Sequence, residues 1–127
     1  MKDLDGIMQG VTLRSFIARS TPWGTIQIGE AFCYLTPQEQ AAVIAHERGH
    51  IAHRHALKRL VWVLTFRAVF QSSKFFEMCE KQELEADRYA VARGHRAGLI
   101  SFLFRSNLHV KSAGYPTHQQ RIEAIHG

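Results

Sequence analysis

The stretch AHERGHIAHRH, residues 45–55, places four histidines and one glutamate in eleven residues of a segment that otherwise looks like a packed helix. Just upstream, LTPQEQ supplies Thr36 as an N-cap, Pro37 at the first helical position and Glu39 three residues past the cap. That is the pattern of a capping box. It predicts a helix from Pro37 to about Leu57. The small and apolar run AAVIA, residues 41–45, implies that this helix is buried. Buried imidazoles and a buried carboxylate need partners, and a metal ion supplies them.

A helix advances about 100° per residue, so His46 and His50, four apart, share a face with Glu47 on its flank. This is the HExxH arrangement, in which two imidazoles converge on one zinc and the glutamate stands beside a water as general base. His46 and His50 are the expected ligands and Glu47 the expected base. A catalytic zinc takes three protein ligands. The longer HExxHxxGxxH form fails, because Ala56 stands where its third histidine belongs. His53, a turn further along the zinc face, is expected to sit around the pocket rather than ligate. His55 points elsewhere and reads as structural.

The third ligand is sought in CEKQELEADRYA, residues 79–90. On a helix, Glu80, Glu83 and Asp87 share a face with Cys79, Ala86 and Ala90, while Glu85 turns the other way and reads as solvent-facing. Acids set among small residues make sense if this face packs on the histidine helix and meets a cation. Glu83 is the expected third ligand, with Glu80 its nearest competitor. Asp87, one turn on, is placed to accept the free N–H of a zinc-bound histidine.

Residues 11–18 alternate loosely and read as a strand, STPWG (20–24) as a turn and TIQIG (25–29) as a second strand. Residues 58–70 either continue the histidine helix or form a second apolar one, and QSSK (71–74) reads as a break. Further helices are expected over about 75–93, ended by Gly94, over about 99–109, and over 118–126, with SAGYPT (112–117) as a turn. The whole reads as an α+β chain, mostly helical with a small sheet near the start, in a single domain over residues 1–127.

The formal net charge is +5, but the 16 Lys and Arg are scattered, so no nucleic-acid partner is expected. Two cysteines without CxxC spacing exclude a disulfide framework and point to a cytoplasmic protein. The most apolar run, residues 60–70, is interrupted by Arg67 and is well short of the ~20 residues of a membrane span, so no transmembrane segment is expected. Residues 60–76 are a candidate surface for homo-oligomer formation.

LTPQEQAAVIAHERGHIAHRH followed by ELEADRYA resembles the gluzincin zinc metallopeptidases of the HtpX and CAAX prenyl protease group, in a minimal, minigluzincin-like form. The shared pattern is HExGHI with a later RH, then ExxAD on a second helix. His46, Glu47, Gly49, His50, Ile51, Arg54 and His55 match the first part; Glu83, Ala86 and Asp87 match the second. The resemblance implies a zincin-like catalytic domain in which zinc is bound by His46, His50 and Glu83, with Glu47 as base. It also implies a strand pair above the cleft. In the tail, YPTHQQRI matches at Arg121, which would brace the site by pairing with an acid. Tyr115 stands where the family's usual histidine helps stabilise the tetrahedral intermediate, so Tyr115 or His118 would take that part. The implied activity is hydrolysis of peptides or unfolded protein, with the substrate extended along an edge strand near Phe16 and Ala18. The other reading is a latent or regulatory zinc domain of the same fold. Arg48, at a position usually apolar in the family, suggests a more exposed helix side or a subunit contact.

Overall fold

The computed structural model describes residues 17–105, 109 and 111–127. Two short antiparallel strands open it, β1 (Ala18–Ser20) and β2 (Ile26–Ile28), with Ala18 opposite Ile28 and Ser20 opposite Ile26. The first strand therefore starts at the end of the expected 11–18 run, whose residues 11–16 lie outside the described part. Backbone bonds from Gly29 to Ile17 and from Thr21 to Thr25 flank the pair. By the alternation of an antiparallel ladder, the N–H and C=O groups of Ala18 and Ser20 face away from β2.

A 3₁₀ turn (Glu30–Tyr34) leads into α1 (Pro37–Ala52). The capping box is formed as the sequence predicts: Thr36 Oγ1 accepts from the Glu39 amide at 3.2 Å, and Glu39 Oε1 accepts from the Thr36 amide at 2.9 Å. Glu39 is wholly buried, and its carboxylate also accepts from Ser101 Oγ at 2.8 Å and pairs with Arg105. One side chain thus fastens the start of α1 to α5.

α1 stops short of Leu57. Arg54 adopts the left-handed conformation, φ 55° and ψ 37°, and a new helix α2 (His55–Leu64) starts in another direction. A second left-handed residue, Phe66 at φ 62°, separates α2 from the single turn α3 (Arg67–Phe70). The break expected over 71–74 is narrower, because α4 (Ser72–Ala92) already begins at Ser72. Gly94, at φ 88°, lies just past the end of α4, where a residue with a Cβ would be strained. α5 (Arg96–Phe104) and α6 (His118–His126) complete the chain. The result is a mostly helical α+β fold with one small two-stranded sheet.

α1 is the central element, packed on α4, α5 and β1. Ala42, Ala45, Ala90, Leu99, Leu103 and Ile122 form the main core cluster. Small residues set how closely the helices approach. A Cβ on Gly49 would lie 2.9 Å from Tyr89 Cβ and 3.0 Å from Ala86 Cα, so α1 and α4 nearly touch there. That approach brings a histidine face and an acidic face together. By contrast, Leu64, Phe66, Val69 and Phe70 are largely exposed. Among the described residues no helix is long and apolar enough to cross a membrane.

Candidate metal centre

His46 and His50 project from α1 towards Glu83 on α4, and all three are buried. The two Nε2 atoms are 3.1 Å apart. His46 Nε2 lies 3.2 Å from Glu83 Oε1, and His50 Nε2 lies 3.0 Å from Glu83 Oε2. Donors bound at about 2.0–2.1 Å in a tetrahedron around one zinc stand about 3.3 Å apart. This triangle, whose two edges to Glu83 end on different oxygens of the carboxylate, has sides within a few tenths of an ångström of that value. Two imidazole nitrogens and a carboxylate also form the donor set of a catalytic zinc. The residues present therefore fit such an ion. Glu83 occupies the position expected of a third ligand, while Glu80 pairs with Lys111 away from the centre.

Behind the triangle, His46 Nδ1–H donates to Asp87 Oδ1 at 2.7 Å. Asp87 also takes a fork from Arg121, Nε to Oδ2 at 2.8 Å and Nη2 to Oδ1 at 2.7 Å. Burial raises the Asp87 carboxyl, but the Arg121 charge and the hydrogen bonds from Arg121 and His46 outweigh it and bring it down to about 2. Asp87 and Arg121 thus stand where the sequence expected a histidine-orienting acid and its bracing cation. Burial likewise disfavours charge on His46, yet bonds to Asp87 and Glu83 raise its pKa to about 9. Without a metal, protonated His46 bridges the two carboxylates.

Glu47 lies within 4.8 Å reach of His46 and His50 through its carboxylate. Its Oε2 is buried without a hydrogen-bond partner among the described residues. Burial pushes its pKa up to about 7, the range in which a carboxylate exchanges protons at neutral pH.

Three residues near the centre were not anticipated. His55, freed by the turn at Arg54, returns so that its Nδ1 lies 2.8 Å from His50 Nδ1. In an unbroken helix the two, five apart, would stand about 140° away from each other. His55 Nε2 lies 3.3 Å from Glu85 Oε1, so Glu85, while partly exposed to solvent as expected, also reaches back to α2. Because a carboxylate only accepts, His55 carries its proton on Nε2, its Nδ1 accepts from His50 Nδ1–H, and His50 Nε2 keeps a lone pair for a metal. Burial, and next the nearby His50, lowers the His55 pKa to about 4, so the ring is neutral. Arg59 donates to Gln82 Oε1 at 2.6 Å and to Glu83 Oε2 at 3.0 Å. His55 and Arg59, four apart on α2, share a face; that spacing was the available signal once a helix start at 55 was known. His53 departs from expectation: it caps α1 and pairs with Glu85 at 3.0 Å instead of following His46 and His50 into the cleft. The left-handed turn at Arg54 directs this end of α1 across Glu85 and Tyr89.

A cleft of about 430 Å³ opens over the triangle. Ile17 to Ser20 form one wall, which includes Ala18; Tyr115, His118 and Arg121 contribute from the tail. Phe16 lies outside the described residues. Tyr115 is half exposed, and burial of its hydroxyl end raises its pKa, with the Glu83 charge acting in the same direction.

Residues 19–76 match the family model of peptidase family M48. The match supports a metallopeptidase, a hydrolase of peptide bonds. It takes in β1 from Arg19 on, β2 and the whole of α1 with His46, Glu47 and His50, and ends before Glu83, whose place rests on the distances above. No curated protein and no solved structure matches the chain.

Proposed function

We propose that this chain is a zinc-dependent endopeptidase of the HtpX and CAAX protease type, a minimal gluzincin that hydrolyses peptides or unfolded proteins. The observation that carries the reading is the triangle of His46 Nε2, His50 Nε2 and a Glu83 carboxylate with 3.0–3.2 Å edges, beside a buried Glu47 oxygen that lacks a partner. His46, His50 and Glu83 would hold the ion. Zinc held there supplies Lewis acidity towards water and the scissile carbonyl.

The remaining steps belong to the protein. Glu47 takes a proton from the attacking water and passes it to the leaving amine. Tyr115 or His118, both on the cleft, donates a hydrogen bond to the developing oxyanion. The outward N–H and C=O groups of Ala18 and Ser20 offer an edge on which an extended peptide adds as a further strand. This reading places the protein in the cytoplasm, where thiols such as Cys33 and Cys79 stay reduced. It takes the exposed apolar flank around Leu64, Phe66 and Phe70 as a contact between copies of the chain.

Glu47→Gln tests the assignment. The variant is expected to bind one equivalent of zinc at this centre and to cleave casein or a quenched peptide at least a hundredfold more slowly than the parent, whose activity a chelator abolishes. Equal turnover by parent and variant would refute the role of Glu47. A latent zinc domain is the second reading, favoured by the Arg59–Glu83 ion pair at 3.0 Å, which engages the third ligand. Stoichiometric zinc with no chelator-sensitive cleavage would select it.

A further inference from the structure

Outside the triangle, His53, His55 and Glu85 form a second group in which each residue offers one donor atom, all within 4.8 Å of one another. Glu85 Oε1 stands 3.0 Å from His53 Nδ1 and 3.3 Å from His55 Nε2, again close to the edges of a tetrahedron of about 2.0 Å bonds. The chemistry is that of a site for a borderline divalent ion such as zinc: two imidazoles and one carboxylate. The group is also accessible, since the Glu85 and His53 side chains are more than a third exposed while His55 is buried behind them. Water can fill the remaining positions.

This second group shares a proton with the first. His50 Nδ1 and His55 Nδ1 face each other at 2.8 Å, and one proton serves that contact. When Glu85 accepts from His55 Nε2–H, the shared proton sits on His50 Nδ1 and His50 Nε2 is free to ligate. An ion on His55 Nε2 displaces the proton there, so the neutral ring carries its proton on Nδ1. His55 then donates to His50 Nδ1, and the proton of His50 moves to Nε2, where it blocks the inner ion. The alternative is to break the His50–His55 bond.

We propose that His53, His55 and Glu85 form a second metal site, and that its occupation opposes His50 as a ligand of the inner one. The coupling rests on the proposed inner centre; the outer site does not. One hydrogen bond of ordinary strength corresponds to about a tenfold change in affinity. Linkage makes the effect reciprocal, so each ion weakens the other by the same factor.

Equilibrium dialysis against zinc, run beside peptide cleavage, tests both parts. The parent is expected to bind two ions, the second at least tenfold more weakly, with turnover falling as the second site fills. His53→Ala, a change at a partly exposed side chain, is expected to lose the second ion, keep basal turnover and escape inhibition by excess zinc. His46→Ala is expected to keep the outer ion and bind it about tenfold more tightly than the parent binds its second. A His53→Ala variant that takes up as many ions as the parent overturns the site. Equal outer affinity in the parent and in His46→Ala overturns the coupling. Should the inner centre itself be misassigned, His46→Ala loses no ion while His53→Ala still loses one.

Discussion

Replacing Asp87 by alanine should destabilise the metal-free protein by about 3 kcal/mol. Asp87 is 2 % exposed and accepts three hydrogen bonds, two from Arg121 and one from His46. Arg121 is itself buried, so removing the carboxylate leaves a guanidinium without its anion, a change that typically costs about 3–5 kcal/mol. A second route gives a similar size. The Asp87 carboxyl falls from 3.8 to about 2 on folding, which corresponds to roughly 2–3 kcal/mol at neutral pH. The folded-state value is depressed, so this contribution is present above about pH 4 and is lost as pH falls through about 2. The assay is urea unfolding at pH 7 in chelator, comparing the parent, Asp87→Ala, Asp87→Asn, Arg121→Met and the Asp87→Ala/Arg121→Met double variant. Asp87→Asn retains an acceptor for His46 and is expected to lose less. The double variant is expected to lose at least about 1.5 kcal/mol less than the sum of the singles, because the stranded charge is gone. A loss below about 1 kcal/mol for Asp87→Ala, or strict additivity of the two changes, would refute the reasoning.

Gly49→Ala puts a Cβ 2.9 Å from Tyr89 Cβ and 3.0 Å from Ala86 Cα, and is expected to cost about 1–3 kcal/mol in thermal unfolding and to weaken zinc binding by separating α1 from α4. Zinc binding at the inner centre must displace the His46 proton, held with a pKa of about 9. Affinity measured by competition with a chelator is therefore expected to rise about tenfold per pH unit from 7 towards 9 and then level off. Over the same interval the metal-free protein is expected to lose stability, since a raised histidine pKa stabilises fully below 6.5 and no longer does so above about 9. A pH-independent affinity would contradict both statements. Glu39→Ala removes the capping acceptor and strands Arg105 and Ser101, and is expected to lower stability by about 2–4 kcal/mol in denaturant titration, without changing the number of zinc ions bound.

Residues close together in the chain made the start of α1 and the shared face of His46 and His50 readable from sequence. Thr36, Pro37 and Glu39 form a cap through contacts three residues apart, and His46 and His50 share a face by helical periodicity alone. The acidic face of α4 was readable for the same reason, and the small residues on it signalled the close approach that brings Glu83 within 3.2 Å of His46. What lies beyond α1 was decided by tertiary structure. The left-handed turn falls on Arg54, a residue with no intrinsic preference for that conformation, so no glycine or asparagine announced it. With that turn unseen, His55 was expected to point away from His50 and His53 to follow the zinc face, and nothing linked either of them to Glu85. Their pairing joins positions thirty residues apart across two helices, and periodicity along either helix carries no information about it. Sequence alone thus determined which side chains each helix presents on one face. Packing alone determined which of those faces meet, because a helix's direction after a break depends on what it is packed against.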